Sequence, residues 1–236
     1  MRRDHAQVEA PEFGGAGDVI ALGHYGRPVL VFPSATGRAW ECEANGLLEG
    51  VRGLVEGGAA KLYCVDGPAA ESWPTRDGAP DDDAARKASY QSWILDNVVP
   101  FVYADCSGPI EMVVTGAGSG AVQAARFALR RADLFPAAIC LSGCYADAGG
   151  GGAIDYLNSL EDHQLDWLRD RVNVVLVSGS GPEEHALGAL NATRRLAAAL
   201  EARGIHHQLD VWDETADHDW PSWALQLAHH LPRFCT

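Results

Sequence analysis

Basic charge is scarce in this chain: of 236 residues, 18 are Lys or Arg against 32 Asp or Glu, a formal net charge of −14. So acidic a surface repels phosphate backbones and anionic headgroups. The densest basic spots are only the pairs Arg2-Arg3, Arg130-Arg131 and Arg194-Arg195. Neither nucleic acid nor a membrane is an expected partner. Long hydrophobic runs are lacking too, with nothing near the roughly 18 apolar residues of a spanning helix. Arg2-Arg3 has no apolar stretch behind it, so no secretory signal is read there. Cysteines are few, six in all, and Cys140 and Cys144, four apart, have no matching pair elsewhere. No metal site and no cofactor are expected, and the reducing cytoplasm is the default compartment.

What remains is an ordinary globular composition, 47% hydrophobic and 21% charged. The first seventeen residues read as a frayed or edge-strand start before a single domain over 18–236. Short apolar runs at 18–24, 29–32, 61–66, 111–115, 137–142, 172–177 and 208–212 predict strands. Between them, helical spacing covers 45–57, 84–102, 121–131, 192–203 and 220–230, with shorter helical pieces near 156–160 and 167–169. Strands alternating with helices predict an α/β fold, a mostly parallel sheet with helices on both faces.

Ligands of such sheets bind beyond the carboxyl ends of the strands. At one such end lies Thr115-Gly116-Ala117-Gly118-Ser119-Gly120-Ala121. Gly116, Gly118 and Ala121 match a variant of the dinucleotide fingerprint, though several strand–helix units precede them, where that fingerprint belongs to the first. The same strand–turn–helix context also suits a nucleophile elbow. His218, between the last strand and the last helix, is the candidate general acid and base. Weaker candidates are Cys144 at a strand end, His206-His207, and Trp220 and Trp223 as core or pocket wall.

Several stretches carry a family resemblance: Gly23 to Pro33, Tyr63 to Asp66 with Glu71 to Trp73, Val98 to Phe101, Phe127 to Arg130 with Asp133 to Phe135, Leu141 to Gly143, and His218 to Pro221. Together they resemble, in colinear order, the bacterial "Putative esterase" family of the α/β-hydrolase superfamily. The resemblance implies a single α/β-hydrolase domain with a Ser nucleophile, an acid and a His. It also implies an oxyanion held by backbone N–H groups of the elbow and of the turn after an early strand.

The departures matter as much. The family's Gly-x-Ser-x-Gly falls on Gly116 to Gly120, so the nucleophile position is Gly118, and Ser119 stands one residue late. Near the family's acid position the chain reads Gly179-Ser-Gly-Pro-Glu183-Glu184, leaving Glu183, its neighbour Glu184, or Asp147 after a neighbouring strand to partner His218. The pocket is expected from Ser34, Ala35, Gly118, Ser119, Cys144 and Trp220. The resulting expectation is a diverged esterase-like protein that binds a small carbonyl or carboxylate compound, has lost serine hydrolysis, and keeps acid/base chemistry at His218. Alternatives are a non-catalytic binding or assembly subunit, which includes a homo-oligomer, and an esterase using Ser119.

Overall fold

Eight of the chain's runs pair into one sheet in the order β1-β2-β4-β3-β5-β6-β7-β8. They are β1 (Arg3–Ala10), β2 (Gly15–Leu22), β3 (Arg27–Phe32), β4 (Ala60–Val65), β5 (Val113–Ala117), β6 (Ala137–Leu141), β7 (Asn173–Ser178) and β8 (His207–Val211). The structure, a computed structural model, describes residues 1–34, 37–68, 83–145 and 152–235. β1 pairs antiparallel with β2, and β2 with β4; every later pairing is parallel. Of the first seventeen residues, the last three already belong to β2 and Arg3–Ala10 form the edge strand β1. Its alternating exposure suits a strand with one wet face.

Central strands are continuously apolar because both faces are covered. Successive residues of β3 part to opposite sides: Leu30 and Phe32 join one core, Val29 and Val31 the other. Over the second core lie α1 (Glu41–Ala44), α2 (Leu47–Glu56) and α10 (Trp220–His230). The first core takes α3 (Asp83–Trp93), α4 (Val99–Asp105), α5 (Ser119–Arg130), α6 (Ala153–Ser159), α7 (Asp162–Arg169) and α9 (Ala189–Ala202). There Phe127 of α5 stacks on Phe32, with centroids 5.1 Å apart and planes at 11°. Between β7 and α9 runs the five-residue α8 (Pro182–Ala186).

Two departures from the expected elements have local causes. The single helix expected over 84–102 is interrupted by a π turn at Ile94–Val98 before α4 begins. Pro100 has no N–H to give the preceding turn, which widens to accommodate it. Short α8 was not expected, although Pro182 after Gly181 is a helix-start signal. Among the described residues no helix is long and apolar enough to cross a membrane.

Candidate active site

The turn from β5 into α5 is sterically closed around one open position. A Cβ on Gly116 would lie 2.5 Å from the backbone of Gly120, and one on Gly120 would lie 2.4 Å from the Phe32 carbonyl oxygen. Neither contact leaves room for a side chain. Gly118, between them, has φ 55° and ψ −116°, and its N–H donates to the Leu141 carbonyl at 2.9 Å. Such backbone costs a residue with a side chain of order 1–3 kcal/mol. Yet among the described residues outside the turn a Cβ here would meet only His218, with Nε2 at 3.6 Å.

His218 is held by the loop leading into α10. Asp219 caps that helix, accepting from the Ser222 N–H at 2.9 Å. Asp217 accepts at one oxygen from the His218 N–H (2.9 Å) and the Glu184 N–H (3.0 Å), which ties this loop to α8. The imidazole packs edge-on against Trp223, with centroids 5.0 Å apart. Its Nδ1 faces Glu184 Oε2 at 3.5 Å.

Glu184 has no exposed surface. A carboxylate so deep needs donors. Its Oε1 accepts from the Gly179 N–H at 3.3 Å and from the Ser142 hydroxyl. Ser142 in turn accepts from Trp223 Nε1 at 3.0 Å. Ser142 itself has φ 52°, an uncommon left-handed conformation for a side-chain-bearing residue, at the end of β6. Trp223, Ser142, Glu184 and His218 therefore form one chain ending at the space beside Gly118.

Glu184, rather than Glu183, faces His218; Glu183 is exposed. Adjacent helical residues diverge by about 100°, so only one of the two can point inward. Asp147 and Ala35 lie outside the described residues. Ser119 opens α5 with its side chain exposed and makes no hydrogen bond to His218 among the described residues. Cys144 is exposed, its sulfur 3.8 Å from the Leu187 carbonyl. Burial of its thiol, with the Glu184 charge, pushes its pKa up, the wrong direction for a nucleophile. Trp220 packs against Trp223, with centroids 5.1 Å apart, and walls a small cavity with Pro33, Ala117 and Glu41.

Sequence reasoning missed Glu41. This residue of α1 is 4% exposed, and its Oε2 accepts from the Ser34 N–H at 2.6 Å. No motif signals it, since one acidic residue at a helix start reads as an ordinary first-turn preference. A second titratable group, remote in sequence from the elbow, joins β8 to α10. Asp210, His229 and His230 have ligand atoms within 4.8 Å of one another. Both His230 nitrogens are engaged, Nε2–H donating to Asp210 at 2.9 Å and Nδ1 accepting from Arg233 at 2.8 Å. That pairing leaves no lone pair on His230 for a metal.

Sheet order, elbow and the loop histidine before the last helix define an α/β-hydrolase fold of the esterase type. The chain belongs to the "Putative esterase" family, which matches residues 66–234. Solved structures bear out the fold over nearly the whole chain. A ferulic acid esterase superposes with a TM-score of 0.78 at 13% identity, covering 99% of this chain and 97% of the other. The MPT51 protein of Mycobacterium tuberculosis gives 0.69 at 15%, covering 97% and 96%. An S-formylglutathione hydrolase from Agrobacterium tumefaciens gives 0.67 at 14%, covering 99% and 94%. No curated protein matches the sequence.

Proposed function

We propose that this protein binds a small acyl or carbonyl compound beside Gly118 and acts on it by proton transfer through His218, without forming a serine ester. The carrying observation is the open position at Gly118, where among the described residues outside the turn a Cβ would meet His218 Nε2, at 3.6 Å, and nothing else within 4 Å. An elbow of this shape ordinarily presents a hydroxyl to the imidazole; here no side-chain atom exists to be acylated.

The base remains equipped. With Nδ1–H directed at Glu184, Nε2 offers a lone pair to a ligand C–H, O–H or bound water. Glu184 fixes that tautomer and stabilises the imidazolium once the proton has arrived. The proton can then return to another atom of the same ligand, which is isomerisation, or to a leaving group, which is lyase chemistry. A merely structural histidine has no need of a fully buried carboxylate with its own donors behind it, and this favours chemistry over a scaffold role. The six cysteines, all free, suit action in the reducing cytoplasm.

A fluorophosphonate probe followed by intact mass tests the reading. The expected result is no adduct and only background turnover of short p-nitrophenyl esters. Stoichiometric labelling at Ser119 overturns it in favour of a displaced nucleophile.

A further inference from the structure

We infer that Glu41 makes this site selective for carbonyl compounds that carry a primary ammonium group, an inference that rests on the ligand pocket proposed above. The first observation is the Ser34 N–H, in the turn after β3 where an esterase would offer a donor to an oxyanion. Here it is already taken, by Glu41 Oε2 at 2.6 Å. A carboxylate therefore stands where negative charge would otherwise be received, and it repels an anion.

The second observation is the other oxygen of the same group. Glu41 Oε1 is buried and has no hydrogen-bond partner among the described residues. Natural proteins rarely leave such an atom unmatched without a ligand or water to meet it. Glu41 lines the cavity that Ala117, one residue before Gly118, and Trp220 also wall. That cavity has about 10 Å³ open to the centre of a water-sized group. Space of that order takes one water-sized group, which an ammonium head matches.

Two charged side chains line the cavity, Glu41 and Arg38, and the second is already matched elsewhere. The Arg38 Nε makes no hydrogen bond among the described residues. Its guanidinium, however, sits 3.5 Å from Asp18 and 3.7 Å from Asp66. Asp18 and Asp66, two carboxylates against one guanidinium, thus offset its charge. The whole-chain charge of −14 adds attraction for cations arriving from solution. Of the two ligand classes expected from the sequence, a carbonyl compound keeps its place and a carboxylate does not.

Three size-matched amides test this by NMR titration of the backbone amides of Ser34, Ala117 and Ser119: cationic glycinamide, neutral propionamide and anionic malonamate. In the native protein glycinamide should bind at least about tenfold more tightly than propionamide, and malonamate should cause no shifts. Glu41→Gln should bring glycinamide and propionamide within about twofold of each other, whereas His218→Ala should keep the preference. Equal binding of glycinamide and propionamide, a preference for malonamate, no shifts with any probe, or a preference that survives Glu41→Gln each overturns the inference. The native comparison decides the matter even where Glu41→Gln fails to fold. Failure here is separable from failure of the base: serine labelling at Ser119 would remove the proton-transfer reading while leaving the amide comparison intact.

Discussion

His218 Nε2 stands 3.6 Å from the point where a side chain at Gly118 would begin, and outside that turn no other described atom lies within 4 Å. The imidazole is placed as it would be for a hydroxyl that this sequence does not encode. Restoring the hydroxyl is therefore the most direct probe of how much of an esterase persists.

Gly118→Ser should gain measurable p-nitrophenyl acetate hydrolysis and a fluorophosphonate adduct at position 118. The gain should fall short of a complete esterase by about 10²–10³-fold, because the Ser34 N–H is occupied and one oxyanion donor is missing. Strain at φ 55° should lower stability by about 1–3 kcal/mol, read by urea unfolding. A well-folded variant with neither activity nor adduct would mean that the base is out of reach.

The acid can be assigned in that same background. Adding Glu184→Gln to Gly118→Ser should cost up to ~10⁴ in kcat, since an amide can hold the imidazole in the wrong tautomer. Glu183→Gln, on the exposed side of α8, should change kcat less than about twofold. The reverse ranking would return Glu183 to the site.

Paired glycine substitutions should separate steric necessity from helix propensity. Gly120→Ala puts a Cβ 2.4 Å from the Phe32 carbonyl oxygen and should destabilise by at least about 2–3 kcal/mol. Gly53→Ala, inside α2 with nothing within 4 Å, should stabilise by about 0.5–1 kcal/mol. Differential scanning calorimetry reads both, and a stable Gly120→Ala would contradict the packing at the elbow.

His230 should leave a mark on acid stability. Burial, aided by the Arg233 charge, holds its pKa below the ordinary 6.5, against the pull of Asp210. Below pH 6.5 the unfolded chain takes up this proton before the folded one does. The histidine's contribution is therefore complete above that pH and is lost as pH falls toward the folded pKa. Urea midpoints from pH 7.5 to 5 should fall less steeply for His230→Gln than for the native chain. Parallel slopes would mean that His230 titrates alike in both states.

Much of this architecture was legible because apolar runs buried on both faces are hard to mistake. Val29 to Phe32 and Val172 to Val177 announce themselves by composition, and their alternation with helices gives a mostly parallel sheet, though not the exchanged places of β3 and β4 in it. His218 was legible from its place between the last strand and the last helix. Glu184 and Glu183 were not separable, because their difference is one step of rotation in a helix too short to show periodicity. Glu41 was invisible for another reason: its importance arises from the Ser34 backbone, seven residues away, and backbone donors have no signature in a sequence.

The strand order has a consequence for how the molecule is made. Apart from β3, which must wait for β4, each strand after β1 finds a neighbour among those already synthesised, so pairing can nearly keep pace with a chain leaving the ribosome N-terminus first. The site cannot. Its turn is encoded at Gly118 and its buried carboxylate at Glu184, but the imidazole arrives only at His218, with α10 behind it. A nascent chain stalled after β8 would carry a paired sheet without His218, so the proposed proton transfer would have to await α10.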